Sequence, residues 1–190
     1  MRKITKRAAF EMIKNAIEAN EGLEGATLAE LLPFFAPAVP AKAKTATQWV
    51  QKALGVNSTR IWMDYLHAHD GYLYATDGHR AHRAPTDMAD GYYHPTTLLP
   101  APYIDTHLVS PVVEVFNATT PTDAATFADA TVYQVTDKLQ ELRFDTLPVG
   151  VNQRYLLAAT NGDTTAKINY GERKFMGTSE FGEYLIMGME

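Results

Sequence analysis

The residues best able to do chemistry lie between positions 67 and 82 of the sequence. His67 and His69 stand two residues apart, so both imidazoles share one face of an extended strand. Imidazoles and carboxylates are ligands that bind zinc or iron in hydrolases. Further candidate ligands close by in the sequence are Asp70, Asp77, His79, His82 and His94. A metal-dependent hydrolase is therefore one open hypothesis, although any alternating strand with two histidines has this spacing.

The run TDGHR, residues 76 to 80, also fits a binding edge. Gly78 allows a main chain to bend or to approach closely, Thr76 and His79 offer hydrogen-bonding groups, and Arg80 can hold a carboxylate. A third interpretation is that TDGHR is only a bend in a strand with surface side chains. The residues alone leave all three interpretations open.

Motifs of other enzyme classes are absent from the sequence. It has no glycine-rich phosphate loop, no GxSxG motif and no nucleophile next to an evident base. A Ser-His-Asp arrangement that assembles only in the fold stays open. We expect a protein that is not an enzyme and needs no cofactor.

Alternating apolar residues predict the strands that position this region. From Thr59 the apolar period is two, which predicts a strand through residue 69. Asp70 and Gly71 favour a tight hairpin, and residues 72–84 then predict the partner strand, bent at positions 77 and 78. Residues 90–99 predict a third strand.

Helical spacing dominates the residues before these strands. A short strand at residues 2–5 leads into a helix at residues 6–20, with Thr5 as its N-cap. Residues 21–56 form an insertion rich in Pro and Ala. It contains a short helix with Thr27 and Glu30 as a capping box, and a helix in residues 45–55 that ends at Gly55.

The second half of the sequence repeats this order after a stretch rich in Thr, Ala and Pro at residues 100–130. Residues 139–145 predict a strand and residues 151–160 a helix. Three strands follow, at residues 164–170, 172–177 and 183–189. We therefore predict an α+β fold of two βαβββ units, with the helices on one side of curved antiparallel sheets. The predicted single domain spans residues 1–190, with a first half at 1–100 and a second half at 101–190.

Composition and charge limit the function further. The 190 residues are 46% hydrophobic and contain no cysteine, which excludes disulfides and thiolate metal sites. The net charge is −5, yet residues 1–60 hold nine Lys or Arg against five Glu. This polarity permits one basic face on an acidic body. Since no apolar stretch has the length of a membrane span, we expect no membrane partner and a cytoplasmic location.

Two segments resemble the bacterial beta sliding clamp of the replicative DNA polymerase. They are ATDGHR at residues 75–80 and YLIMGM at residues 184–189. In that family a TDGHRL run and a C-terminal hydrophobic-Met-Pro-Met segment form walls of a pocket that captures short peptides of polymerases and the clamp loader. This chain has Ala81 where the family has Leu, and Gly188 where it has Pro. The helix at 151–159 is also similar, and the resemblance covers one clamp domain, whereas the bacterial subunit carries three.

The resemblance implies two sets of binding residues. The peptide-binding set is Thr76, Gly78, His79, Arg80, Leu185, Ile186, Met187, Gly188 and Met189. The DNA-facing set is Lys6, Arg7, Lys14, Asn57, Ser58, Arg60 and Arg154. Clamp cations meet phosphates without base readout, which lets a ring slide. A solvated helix surface stays open for each cation, because Glu11 and Glu18 share the polar face of the first helix.

We therefore expect a non-enzymatic, sliding-clamp-like processivity or accessory factor for replication or transcription, of the small, divergent kind that a phage would encode. Its partners would be double-stranded DNA and a polymerase or other replication or transcription protein, bound through a short peptide. One domain cannot encircle DNA, so a ring requires a homo-oligomer, in which TDGHR of one subunit could meet the C-terminus of its neighbour. The alternatives are a monomeric clamp-like interaction module and, third, the metal-dependent hydrolase.

Overall fold

The computed structural model describes residues 40–102, 104, 111–118, 123–126, 130–136, 139–144, 147, 149–163, 165–171 and 173–189. All of them belong to one compact unit, Val39–Glu190. The strand predicted at residues 2–5, the helix at 6–20 and the short helix capped by Thr27 lie outside the described residues. Within the described part, no helix has the length and apolar character needed to cross a membrane.

The described residues form three α-helices, one 3-10 helix and eleven strands. The helices are α1 (Ala46–Gln51), α2 (Pro111–Ala118) and α3 (Gln153–Ala159), and the 3-10 helix is Ile61–Asp64. The first strands are β1 (Leu66–His69), β2 (Tyr72–Thr76), β3 (Arg80–Pro85) and β4 (Gly91–Tyr93). The middle strands are β5 (Asp123–Thr126), β6 (Ala130–Thr136), β7 (Leu139–Phe144) and β8 (Val151–Asn152). The last strands are β9 (Lys167–Gly171), β10 (Lys174–Thr178) and β11 (Glu183–Met187).

Eight strands form one antiparallel sheet that joins both halves of the sequence. Its order is β4-β1-β2-β3-β11-β10-β9-β5, and β6, β7 and β8 form a separate three-stranded sheet. The junction between the halves is the pair β3 and β11, in which Ala81 faces Leu185 and Arg80 faces Ile186. The final strand therefore lies beside the strand that begins at the end of TDGHR.

Strand alternation divides the larger sheet into two faces with different cover. Leu73 of β2 and Ile186 of β11 point to the face that α1 and α3 cover, in the largest cluster of buried residues. Tyr74 and Leu185 point to the opposite face and pack with Phe116 of α2. The sequence did not predict α2. Its position on the second face departs from the expectation that helices lie on one side only.

Trp49 holds the two helices of the first face together. Its indole Nε1 donates a hydrogen bond of 2.8 Å to the carbonyl oxygen of Ala159 at the end of α3. Its ring stacks on His82 of β3, with centroids 4.3 Å apart. Thr45 caps α1, because its hydroxyl oxygen accepts a hydrogen bond from the backbone N–H of Gln48. The fully buried Trp49 thus links α1, α3 and the sheet.

Three local predictions in the first half are wrong in detail. The strand begins at Leu66 rather than at Thr59, because residues 61–64 form the 3-10 helix, whose Asp64 carboxylate accepts from the backbone N–H of Ser58. Helix α1 ends at Gln51 with Lys52 as its C-cap, so Gly55 does not end it. The residues TDGHR are not a bend in one strand, since β2 ends and β3 begins there and they form the hairpin turn.

The elements predicted at residues 139–189 occur in the predicted order, whereas α2, β5 and β6, which precede them in the second half, were not predicted. Strand β7, helix α3 and strands β9, β10 and β11 follow one another as expected, with the two-residue β8 inserted before α3. The third strand of the first half is shorter than predicted, Gly91–Tyr93, and leads into a turn. The duplicated βαβββ organisation stays a prediction, because the first strand and helix of its first unit lie outside the described residues.

Candidate binding pocket on the second face of the sheet

A pocket of about 170 Å³ opens on the sheet face that α2 covers. Its walls come from four parts of the chain: the 3-10 helix, the TDGHR turn with the start of β3, helix α2, and strands β10 and β11. The lining residues are Arg60, Trp62, Met63, Thr76, Gly78, His79, Arg80, Ala81, Val112, Val115, Lys174, Leu185 and Met187. Segments that are far apart in sequence thus converge on one concave surface.

The TDGHR turn is fixed by hydrogen bonds of its own side chains. The Asp77 carboxylate accepts from the backbone N–H groups of His79, at 2.9 Å, and Arg80, at 3.0 Å. The Thr76 hydroxyl donates to the carbonyl of Arg80 at 2.7 Å and accepts from the N–H of Gly78 at 3.0 Å. Gly78 has a φ of +88°, a conformation that favours glycine. The pocket wall is therefore preformed.

The final strand is tied to this turn within the same chain. The N–H of Met187 donates a 2.7 Å hydrogen bond to the carbonyl of His79. Met187 is 45% exposed, whereas Leu185 is buried. The resemblance suggested that neighbouring subunits share the pocket. In this structure a single chain supplies both the TDGHR wall and the final-strand wall, so the pocket forms without a second subunit.

Six of the nine predicted peptide-binding residues line this pocket, and three do not. Ile186 is only 1% exposed and points into the core on the opposite face, because neighbours on a strand alternate in direction. Gly188 and Met189 follow the strand. The N–H of Gly188 donates to the carbonyl of Arg173, and Met189 forms a backbone bridge with Gly150. These three residues therefore do not line this pocket, and their role in peptide binding stays a prediction.

Among the described residues that line the pocket, the charged ones are all basic. They are Arg60, Arg80 and Lys174, with His79 beside them, and none of the described lining residues is Asp or Glu. The Arg80 guanidinium already pairs with Asp77 at 3.0 Å and lies 4.3 Å from the centroid of the Tyr155 ring. The carboxylate that Arg80 holds is therefore that of Asp77 in the same chain. Arg60, which is exposed, presents positive charge at the pocket.

Helix α2, which the sequence did not predict, supplies one wall of the pocket. Val112 and Val115 line the pocket, and Val112, Val113 and Phe116 are buried. Their spacing fits one face of a helix and could have revealed α2 within the Thr-, Ala- and Pro-rich stretch. The residues Trp62, Met63 and Lys174 were also missed, because no local pattern indicates that they meet the turn.

Arg83 of β3 fastens α2 to the sheet. Its guanidinium carbon lies 4.7 Å from the centroid of Phe116 and 5.0 Å from that of Tyr72. One guanidinium nitrogen donates to the side-chain oxygen of Asn117 at 3.3 Å, and another pairs with the Glu183 carboxylate at 2.8 Å. Because these contacts join α2, β2 and β11, Arg83 positions the helix that carries Val112 and Val115.

The histidines considered as metal ligands are dispersed. His67 and His69 share a face and stack with centroids 5.7 Å apart, and His69 lies 3.2 Å from the carboxylate of Asp90. His82 is buried on the other face, where its Nδ1 donates to the carbonyl of Trp49 and burial lowers its pKa to about 3. Across the described ranges, no three His, Asp or Glu side chains form a group that could hold a metal.

The predicted DNA-facing residues fall in three places. Lys6, Arg7 and Lys14 lie outside the described residues. Asn57 is exposed with a φ of +54°, Ser58 is held by Asp64, and Arg60 lines the pocket. Arg154 is exposed on α3, which covers the other face of the sheet. The described candidates therefore do not share one face, and their DNA-binding role stays a prediction.

Comparison with known proteins gives a single weak likeness. No family model matches the sequence, and no curated protein matches it. Among solved structures, the chain is similar to DNA polymerase III subunit beta from Borrelia burgdorferi, which was determined in complex with a natural product. The TM-score is 0.42 with 9% identity, over 93% of this chain and 68% of that chain. That structure is of the family that the two motifs resemble, but a likeness of this degree carries no functional conclusion.

Proposed function

We propose that this chain is a non-enzymatic, sliding-clamp-like accessory protein of DNA replication or transcription, which captures a short peptide of a partner protein in the pocket. One observation carries the proposal. The TDGHR turn and the final strand, separated by about 100 residues of sequence, form two walls of the same pocket. These are the two segments whose residues resemble the peptide-binding segments of the clamp family.

The lining of the pocket suits a peptide with bulky apolar side chains. Trp62, Met63, Val115 and Met187 provide apolar surface, and methionine adapts its shape to different partners. Pockets for drug-sized ligands usually have volumes of roughly 300 to 1,000 Å³. The volume of about 170 Å³ found here fits one or two side chains instead.

The charge of the lining indicates that this peptide ligand also carries an acidic group. The described charged residues of the lining, among them the exposed Arg60, are all basic, whereas the net charge of the chain is −5, so the pocket stands out as a basic site on an acidic protein. A carboxylate next to the apolar side chains, from Asp, Glu or a C-terminus, complements these cations. We infer a peptide ligand that has two apolar residues and a carboxylate next to them.

Two exposed apolar residues allow a matched test of the pocket. Met187 lines it and is 45% exposed, whereas Val56 is 86% exposed and does not line it. Fluorescence polarisation with labelled octapeptides that carry two leucines and one aspartate measures the dissociation constant. We expect Met187→Asp to weaken binding at least about tenfold. Val56→Asp is the control and leaves binding unchanged; equal affinities of the two variants would refute the pocket assignment.

The DNA-binding part of the proposal rests on the basic N-terminal region and on Arg154. Changing Lys6, Arg7 and Lys14 together to Glu should weaken binding to duplex DNA and flatten its dependence on salt, because fewer counterions are released. Polarisation of a labelled duplex at several salt concentrations checks this. Identical salt slopes for the variant and the unmodified chain contradict a role of these residues.

A monomeric interaction module is the second candidate, and the completeness of the pocket within one chain favours it. A ring around DNA requires several copies, but capture of a peptide does not. The mass in solution, measured with and without DNA, separates the two. A chain that stays monomeric at high concentration excludes the ring and leaves peptide capture intact.

A further inference from the structure

A smaller cavity adjoins the pocket and shares three of its walls, Trp62, Thr76 and Val112. Tyr65, His67, Tyr74 and Ala75 complete its lining. The volume of the cavity, about 10 Å³, admits a single group the size of a water molecule. Because these walls are shared, the two cavities are neighbours.

His67 lines this cavity and carries an unsatisfied polar atom. The residue is 6% exposed, and its Nδ1 is buried without a hydrogen-bond partner among the described residues. Its ring stacks on Tyr92 with centroids 4.5 Å apart and an interplanar angle of 13°, which fixes its orientation. A buried polar atom left unpaired destabilises the protein, so such an atom is normally satisfied by water or a ligand.

The chemistry of this imidazole selects the group that it binds. Burial, followed by the nearby His69, lowers the pKa of His67 to about 4, so the ring is neutral at pH 7. A neutral imidazole has one nitrogen that donates and one that accepts. A hydroxyl can do either and has the size of a water molecule, whereas an amide or a carboxylate is too large for the cavity.

We propose that His67 is a specificity-determining residue of the pocket, whose Nδ1 hydrogen-bonds the hydroxyl of a Ser or Thr side chain in the bound peptide. The inference rests on the proposed peptide-binding function and adds a polar position to its apolar and acidic ones. Thr and Val have the same shape but differ in the hydroxyl. A hydrogen bond worth about 1.4 kcal/mol changes affinity about tenfold, which makes this pair of residues a direct probe.

The experiment uses the labelled octapeptides with two leucines and one aspartate, in which each remaining position in turn is Thr or Val. At one position, the Thr peptide should bind about tenfold more tightly than its Val counterpart. His67→Phe retains an aromatic ring against Tyr92 but has no nitrogen. In this variant the ratio should fall to about one, while the affinity for the Val peptide stays within about threefold.

The outcomes separate this inference from the proposed function. Peptide binding without any Thr preference overturns the role of His67 alone, as does a preference that survives in His67→Phe. If no peptide binds, the proposed function fails and the inference fails with it. Near-UV circular dichroism checks that the variant is folded. Should His67→Phe not fold, His67→Gln, which retains a donor and an acceptor, should preserve part of the preference, and complete loss of preference in that folded variant contradicts the assignment.

Discussion

The two faces of the eight-stranded sheet are built from the same strands but serve different purposes. On the first face, α1 and α3 close the surface, and Trp49, Phe175 and Leu156 are completely buried. On the second face, α2 packs against Tyr74 and Leu185, and the pocket opens beside it. Because neighbouring residues on a strand alternate in direction, Ile186 stabilises the fold while Leu185 and Met187 line the pocket. Substitutions on the two faces should therefore affect different measurements.

The largest expected effect on stability comes from a substitution on the first face of the sheet. Trp49→Ala removes a buried indole, its hydrogen bond to Ala159 and its stack on His82, and should lower the free energy of unfolding by about 3 to 5 kcal/mol. Met187→Ala, on the second face, should lower the free energy of unfolding by less than about 1 kcal/mol because the residue is 45% exposed. Urea unfolding of both variants measures the contrast. Similar losses would show that the second face is as important for stability as the first.

Low pH should destabilise the fold through one buried histidine on each face of the sheet. Burial lowers the pKa of His67 to about 4 and that of His82 to about 3, both below the ordinary value near 6.5. Protonation therefore favours the unfolded chain, so this stability is present above pH 6.5 and is lost as the pH falls towards those values. Each histidine should cost about 1.4 kcal/mol per pH unit in its window. Urea unfolding from pH 7 to pH 5 measures the slope, which His67→Phe should roughly halve.

A smaller effect should come from Arg83, which joins α2 to the second face of the sheet. Arg83→Met removes two cation-π contacts and the hydrogen bonds to Asn117 and Glu183, which should cost about 1 to 2 kcal/mol and weaken peptide binding. Arg154→Met is the matched control, since Arg154 is exposed on α3. It should change neither measurement. Weaker peptide binding in the control, or none in Arg83→Met, would contradict this positioning role.

Local patterns in the sequence were sufficient for much of the fold. Period-two alternation identified β7 and β9 to β11, and helical spacing identified α3. They failed where long-range contacts decide the structure. Ile61 and Met63 alternate like a strand, yet residues 61–64 adopt a 3-10 turn, because the backbone carbonyl of Met63 accepts from Gly55 and Asp64 holds the loop at Ser58.

The candidate site shows the same division between local and long-range information. The TDGHR turn and the final strand were recognised from their own residues, and their meeting was suggested by resemblance alone. Val115 and Lys174 could not be predicted, because only the order of strands in the sheet brings them to the turn. The burial of Ile186 could not be predicted either, since a short motif does not indicate which of its side chains point outward.

The position of β11 has a consequence for the way this chain is made. Residues 183–187 are the last strand of the described structure to leave the ribosome, yet they occupy the interior of the sheet between β3 and β10. During synthesis, the hairpin of β2 and β3 must wait with an open edge until this strand arrives. Until β11 has been synthesised, the pocket therefore lacks the wall that Leu185 and Met187 supply, so the peptide capture that we propose cannot begin before this strand has folded.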